Sequence, residues 1–282
     1  MQPLTLRFRR IVAWIFFVLF VAVLAVASIY ASGYRLGEKF SLERTGGIHV
    51  SVPVVGASVS INGKEIGTAS FLDKSFFIDN LDFGTYDIEV YKAGYRTWEK
   101  RLIVERSLVT DVSAFLVPES ITLTPVVRDQ GTSVATTSRA LRQADYDALL
   151  TLFVAPTTTP TVATSTQARA PDPTELVLRD GNVFVRWNRS LETAPSAFCI
   201  RPGACLVEIS VELTPAQATR AEFFRDGVVY ETEEGSVYFA EVDAKQPQIV
   251  ATLYSAPGAE FRIENGEIYI KDGKKLFVAT GL

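Results

Sequence analysis

Residues 47–118 alternate apolar and polar side chains in short runs, and turn-forming residues separate these runs. This pattern limits what the chain can fold into, because period-two alternation is typical of strands with one buried face. The alternating apolar positions of two of the runs are Ile48, Val50, Val52, Tyr86, Ile88 and Val90. Turns are indicated between the runs at Asn62-Gly63, Gly84 and Gly94. About six short strands at roughly ten-residue spacing predict a small antiparallel β-sandwich.

Glycines and aromatic residues of this stretch also follow a recognisable order. That order is Pro53, Gly56-Ala57, Val59-x-Ile61-Asn62-Gly63, Gly67-Thr68, Leu81-x-x-Gly84-x-Tyr86-x-Ile88-x-Val90, Gly94-Tyr95 and Trp98. In order and spacing, the stretch resembles the PEGA domain family. One departure is Val55, which stands where the family has its namesake glutamate before Gly-Ala. The resemblance implies a small β-sandwich of bacterial and archaeal cell-envelope proteins, and it carries over no catalytic residue.

The N-terminal segment predicts a membrane-spanning helix. Residues 11–31 contain no charged side chain, and Arg7, Arg9 and Arg10 precede them. A helix of about 20 apolar residues crosses the ~30 Å hydrocarbon layer, and basic residues favour the cytoplasmic side. We therefore expect a cytoplasmic N-terminus and a single-pass membrane protein with most of its chain outside the cytoplasm. A cleaved signal peptide is the alternative, because Ala25-Val26-Ala27 is similar to a cleavage site.

The composition changes after Pro118 to one rich in Thr, Ser, Ala and Pro. Such a segment buries too little apolar surface to offset its ordering entropy, so residues 119–174 predict a disordered linker. The linker is either bare or carries O-glycans. Within it, residues 138–155 place apolar side chains on one helical face. This helix would either dock on a neighbouring domain or bind a partner.

Residues 175–282 return to β patterns, with turns at Gly181, Gly227 and Gly266. Hairpins that recur at roughly 40 residues resemble the blades of a propeller. A closed propeller needs about four or more blades, which is more than this segment holds. Three hypotheses remain: an irregular sandwich, a shortened relative of a propeller, and a larger ring completed by self-association. The predicted division of the chain is a cytoplasmic tail (1–10), a transmembrane helix (11–31), a juxtamembrane connector (32–46), the sandwich (47–118), the linker (119–174) and the propeller-like region (175–282).

Cys199 and Cys205 are the two cysteines of the chain, and Pro202-Gly203 lies between them. In an oxidising exterior, such a close pair indicates a disulfide. The Pro-Gly turn allows the two Cα atoms to approach to about 6 Å. A redox pair and a metal pair are the alternatives, but the spacing is not C-x-x-C and no histidine is near.

Sequence motifs of catalysis are absent, which favours a protein that is not an enzyme. The one histidine, His49, falls on the polar face of the first strand. Neither a serine-hydrolase elbow nor a nucleotide-binding glycine loop occurs. We therefore predict no catalytic residue, no cofactor and no metal site. Because 28 Lys and Arg stand against 32 Asp and Glu, a net charge of −4 gives no overall basic field for nucleic acid.

Exposed aromatic side chains are the better candidates for a binding role. Tyr91, Tyr95 and Trp98 surround the Gly94 turn, and aromatic rings stack on sugars and peptide groups. The alternative is that Tyr95 and Trp98 pack the sandwich core. We expect a mainly β envelope protein that binds or scaffolds cell-wall glycan, a surface-layer protein or another surface protein. The second hypothesis is an accessory or sensor subunit of a membrane complex, held through its transmembrane helix.

Overall fold

A computed structural model describes residues 6–31, 34–36, 42–129, 138–154, 173–213 and 217–282. The protein is mainly β with one long apolar helix at its N-terminus, which confirms the predicted fold class. Residues 130–137 and 155–172 of the predicted linker lie outside the described residues, so the choice between a bare and an O-glycosylated linker stays a prediction there.

The long helix, α1 (Leu6–Ala31), contains a span that could cross a membrane. This span is Arg9–Ala31, with a mean hydropathy of 2.9, and its most apolar window is not buried against any other part of the described chain. By length and composition, α1 is a candidate membrane anchor or signal sequence. A hairpin of two short strands follows, β1 (Tyr34–Leu36) and β2 (Leu42–Arg44), in which Tyr34 lies opposite Arg44.

Seven strands then form the predicted sandwich. They are β3 (Gly46–Ser51), β4 (Ser58–Ile61), β5 (Lys64–Thr68), β6 (Ser75–Leu81), β7 (Gly84–Tyr91), β8 (Trp98–Val104) and β9 (Val109–Ser113). One sheet has the order β6-β3-β9, and the other has the order β5-β4-β7-β8. β9 runs parallel to β3, and the remaining pairs are antiparallel. The core between the sheets consists of the apolar positions of the sequence alternation, including Ile48, Val50, Ile88, Val90 and Leu102.

The register of the strands defines two opposite ends of the sandwich. Gly46, at the start of β3, pairs with Leu81 at the end of β6, and Ser51, at the end of β3, pairs with Ser75. The chain therefore enters the sandwich from β2 at the end where the turns 82–83 and 105–108 lie. We call this the near end. The opposite end, which we call the far end, holds the turns 52–57, 69–74 and 92–97.

The rest of the chain is also rich in strands. Its elements are β10 (Thr122–Arg128), β11 (Arg139–Leu141), α2 (Gln143–Val154), β12 (Thr174–Arg179), β13 (Asn182–Trp187), two 3₁₀ turns (Leu191–Thr193 and Ser196–Phe198), β14 (Cys199–Arg201), β15 (Ala204–Cys205), β16 (Glu208–Ser210), β17 (Ala218–Phe224), β18 (Gly227–Thr232), β19 (Ser236–Glu241), β20 (Val250–Ser255), β21 (Glu260–Glu264), β22 (Glu267–Asp272) and β23 (Lys275–Thr280).

We call the part of the chain that contains β10 to β23 the C-terminal β region. Three of its sheets are stacked in succession. Their orders are β12-β13-β16, β17-β18-β19-β20 and β11-β10-β23-β22-β21. One core lies between the first and second sheets and another between the second and third, so the middle sheet is covered on both faces. This explains why Gly227–Thr232 is buried almost continuously instead of alternating. Across the residues that the structure describes, the sheets do not close into a propeller or a barrel.

The structure differs from the predicted linker on its N-terminal side. Within residues 119–174, β10 pairs antiparallel with β23, and Val126 lies opposite Leu276. The average composition of residues 119–174 did not reveal this strand, because its apolar residues alternate with threonines. In addition, Pro125 has no backbone N–H to donate to a neighbouring strand. The predicted helix at 138–155 is present as α2. It buries Leu149 and Phe153 against the third sheet, so it docks on a neighbouring sheet.

Candidate binding surface

The far end of the sandwich carries the predicted aromatic residues Tyr91 and Tyr95. Tyr91 ends β7 and is 50% exposed. Tyr95 is half-buried after the Gly94 turn, where a φ of 81° favours glycine. Lys92 Nζ lies 4.8 Å from the centre of the Tyr95 ring and donates a 2.8 Å hydrogen bond to the Val55 carbonyl. An ammonium group over one tyrosine ring, with a second tyrosine exposed at the same end, forms a surface suited to sugar hydroxyls or peptide groups.

Two large apolar residues project from another turn at the same end. Phe71 is 82% exposed and Leu72 is 93% exposed. The Ser70 amide donates to the Asp73 carbonyl at 2.8 Å, and the Asp73 amide donates to Ser70 Oγ at 2.9 Å. These bonds order the turn that presents both side chains to solvent. Sequence reasoning missed this pair, and the one available signal was its position between a serine and an aspartate, which favour turns.

Trp98 does not belong to this surface. Its side chain is fully buried, and its indole Nε1 donates a 2.9 Å hydrogen bond to Glu241 Oε1 of the C-terminal β region. The core-packing alternative therefore holds for Trp98, and burial keeps its ring from a ligand at the surface.

A cluster of charged side chains lies next to Trp98, and sequence reasoning did not find it. Lys100 Nζ donates to Glu241 Oε2 at 3.0 Å and to the carbonyls of Lys245 and Pro247 at 2.8 and 2.6 Å. Lys245 Nζ donates to the Ser196 carbonyl at 2.6 Å and lies 3.5 Å from Asp243 Oδ1. We call Lys100, Glu241, Asp243 and Lys245 the buried ionic cluster.

Burial shifts the titration of three members of this cluster. It raises the pKa of the Glu241 carboxyl group, although the Lys100 charge acts in the opposite direction. It also raises the pKa of Asp243, opposed first by Lys245. The pKa of Lys245 is lowered by burial, against the effect of Asp243. Shifted groups in a cleft can mark a reactive site, but structural ion-pair networks cause the same shifts.

The surroundings of the cluster indicate a structural role. Throughout the described part of the chain, every buried side-chain nitrogen or oxygen has a hydrogen-bond partner. The adjoining cleft of about 300 Å³ lies where the sandwich and the C-terminal β region meet. The cluster therefore joins these two parts of the molecule.

The C-terminal β region covers one open side of the sandwich, the side bordered by β8 and β9. β8 and β9 are edge strands of their two sheets, and both lie on this side. Arg201 pairs with Glu105 at 2.5 Å, and Arg96 donates to the Val250 carbonyl at 3.2 Å. Phe115 packs against the cores of both parts. Covered edges cannot pair with strands of other chains. This applies to β8 and β9, whereas β5 and β6 are the opposite edges of the same two sheets.

The predicted disulfide between Cys199 and Cys205 is present. The two cysteines lie opposite each other in the β14–β15 hairpin, with their Cα atoms 3.8 Å apart. His49 lies on the outer face of the sandwich, with Nδ1 2.6 Å from Asp111 Oδ1. Within the described ranges, no group of three or more His, Cys, Asp or Glu residues is arranged to hold a metal ion.

The described chain thus combines a candidate anchor or signal helix with a β-sandwich and further β-sheets. Residues 45–120 match the PEGA domain family. The sandwich is therefore a PEGA domain, which confirms the resemblance seen in the residue order, and this domain indicates an extracellular or envelope module. A search of curated proteins finds no match to the chain.

Proposed function

We propose that this chain is a non-enzymatic, single-pass membrane protein whose PEGA domain binds or scaffolds a component of the cell envelope. The observation that carries the proposal is the far end, where Tyr91, Lys92 and Tyr95 lie at the same end as the exposed pair Phe71 and Leu72. The C-terminal β region covers one open side of the sandwich and contacts the far-end turn 92–97 through Arg96. Tyr91, Phe71 and Leu72 stay exposed.

The properties of α1 support the anchor. Its apolar side chains are exposed and make no contact that buries them against the described remainder of the chain. Removing such a surface from water is favourable, and the hydrocarbon layer does this for a helix of this length. Arginines at its N-terminal side favour a cytoplasmic N-terminus. The PEGA domain and the C-terminal β region then lie outside the cytoplasm, where the Cys199–Cys205 disulfide is stable.

The composition of the far end favours three kinds of target: cell-wall glycan, a surface-layer protein and another surface protein. Tyrosine rings with a neighbouring ammonium group suit a glycan, because rings stack on sugars and the ammonium donates to hydroxyl groups. Phe71 and Leu72 suit an apolar patch on a protein.

Co-sedimentation tests the proposal. The full chain in detergent is centrifuged with purified cell-wall sacculi, and a Tyr91→Ala/Lys92→Ala variant is compared with it. We expect the wild-type protein to pellet with sacculi and the variant to remain largely in solution. A Glu65→Ala/Glu89→Ala variant, which changes polar residues elsewhere on the same sheet, is the matched control. Failure of the wild-type protein to pellet with sacculi would contradict glycan binding and leave protein targets, which cross-linking in intact envelopes tests.

Small residues on α1 favour a second function, that of an accessory or sensor subunit of a membrane complex. Ala22, Ala25 and Ser28 recur at about one-turn spacing on an exposed helix. Such residues allow close helix packing in membranes. Changing Ala22 and Ala25 to Phe should then release a co-purifying membrane partner. The same change at Leu19 and Val23, which lie on the other side of the helix, should not.

A further inference from the structure

The near end of the sandwich carries a second group of exposed apolar side chains. Phe83 is 57% exposed and Leu108 is 46% exposed. Phe77 of β6, which pairs with His49, is 61% exposed and extends its ring toward this end over Gly47. Val109 is exposed beside Leu108, and the guanidinium carbon of Arg106 lies 5.9 Å from the centre of the Phe83 ring. We call Phe77, Phe83, Arg106, Leu108 and Val109 the near-end patch.

These residues surround the point at which the chain enters the sandwich. The Ser107 amide donates to the Thr45 carbonyl at 3.0 Å, and the Gly47 amide donates to the Leu108 carbonyl at 3.1 Å. The Phe77 ring lies over Gly47, where an added Cβ atom would be 3.4 Å from the ring. The patch is therefore fixed to the first residues of β3.

The connection between α1 and β3 is short in space. The helix ends at Ala31, and the β1–β2 hairpin brings the chain back, so that Arg44 lies opposite Tyr34. Each extended residue spans at most about 3.6 Å, and antiparallel partners are about 5 Å apart. Gly46 therefore lies within about 25 Å of the last residue of α1.

We propose that the near-end patch rests on the lipid interface at the outer surface of the membrane that α1 spans. This inference rests on the proposed function in one respect, which is that α1 is a membrane anchor. The short connection holds the patch at a high effective concentration at the membrane surface, so that a weak contact is sufficient. Phenylalanine and leucine enter the boundary between headgroups and acyl chains, and the Arg106 guanidinium group binds lipid phosphate.

Apolar burial is the main contribution to this contact. At this end Arg44 and Arg106 stand against the exposed carboxyl groups of Asp79 and Asp82. The Glu105 carboxylate is paired with Arg201. The patch therefore has little net charge, and the contact should form on zwitterionic lipid and persist at high salt. The far end, on the opposite side of the sandwich, then faces away from the membrane toward its target.

Quenching by brominated lipid tests the contact. The full chain is placed in phosphatidylcholine nanodiscs, with a fluorophore on a single introduced cysteine, while Cys199 and Cys205 remain joined under non-reducing conditions. The labelled variants are Phe83→Cys and Leu108→Cys at the near end, Leu72→Cys at the far end and Leu19→Cys in α1. We expect brominated phosphatidylcholine to quench the labels at the near end at least threefold more than the label at the far end.

The control positions separate the possible failures. Quenching of the α1 label without extra quenching at the near end would overturn the membrane contact and leave the anchor intact. No quenching of the α1 label would overturn both the anchor and this inference. As a second measurement, Phe77→Ser added to Leu108→Cys should reduce quenching of the label, whereas Phe71→Ser at the far end should not. If both additions leave the quenching unchanged, the apolar patch does not make the contact.

Discussion

Lys100 of the PEGA domain and Glu241 of the C-terminal β region form a buried ion pair, with Nζ 3.0 Å from Oε2. They are 141 residues apart in sequence. Lys100 occupies a position between Trp98 and Leu102 on the buried face of an edge strand. An inward-facing charge discourages an edge strand from pairing with other chains, and here Glu241 neutralises that charge. The pair therefore links the PEGA domain to the C-terminal β region.

We predict that Lys100→Met lowers the free energy of unfolding by about 3–5 kcal/mol, because it leaves Glu241 buried without its closest cation. Denaturant unfolding of the detergent-solubilised chain, followed by tryptophan fluorescence, measures this change. Arg101→Met is the matched control. Arg101 is adjacent on β8 and pairs with Asp87 at the surface, so its replacement should leave the unfolding midpoint nearly unchanged. Equal effects of the two substitutions would show that the buried pair does not stabilise the protein.

Some features of the fold could be predicted because a local pattern determines them. Strands β3, β7 and β8 each have one buried face, so their alternation is visible in the sequence. The turn at Asn62 and Gly63, with φ values of 48° and 76°, uses the residues that tolerate positive φ. The disulfide followed in the same way from the spacing and context of the cysteines.

Other features depend on contacts between distant segments, which no local pattern records. Lys100 was visible as a lysine at an apolar position, but nothing near it in sequence identifies Glu241 as its partner. The strand β10 gains its stability from pairing with β23 at the other end of the chain. At the candidate surface, the sequence placed Tyr91, Tyr95 and Trp98 around one turn and left core packing open for Tyr95 and Trp98. The structure buries Trp98, which the sequence could not decide, because a buried aromatic residue and an exposed one look alike beside a turn.

The raised pKa of Glu241 predicts a pH dependence of stability. The folded state holds the Glu241 proton more tightly than the unfolded state, whose carboxyl titrates near 4.5. From pH 4.5 up to the raised pKa, the free energy of unfolding should therefore fall as the pH increases. Glu241→Gln removes this titration, so its stability should decline less steeply over the same interval.

Comparing the pH dependence of the free energy of unfolding in wild type and in Glu241→Gln separates the contribution of Glu241 from those of its neighbours. The pKa of Asp243 is also raised, and Lys245, with a lowered pKa, contributes in the opposite direction below pH 10.5. Both groups are present in the wild-type protein and in the variant, so the difference in slope reports mainly Glu241. Parallel curves for wild type and Glu241→Gln would contradict the assignment.

The disulfide should stabilise the protein moderately. Replacing Cys199 and Cys205 by Ser should lower the free energy of unfolding by about 2 kcal/mol, because a short closed loop restricts the unfolded chain only slightly. Unfolding curves with and without a reducing agent measure this loss, and the double variant should not respond to the reducing agent. If the reducing agent has no effect on the wild-type curve, the disulfide does not contribute to stability.

Helix α2 should be required for the stability of the third sheet. Phe153 packs with Leu149 on Tyr269 and Val278, and the guanidinium carbon of Arg262 lies 5.0 Å from the centre of its ring. Phe153→Ala would leave a cavity under the helix, so we expect a loss of about 3–5 kcal/mol in the free energy of unfolding. The neighbouring exposed residue provides the control, since Val154→Ala should change stability by less than about 0.5 kcal/mol. Hydrogen exchange of the β22 and β23 amides should accelerate in Phe153→Ala alone. If exchange accelerates equally in both variants, or in neither, the helix is not docked through this residue.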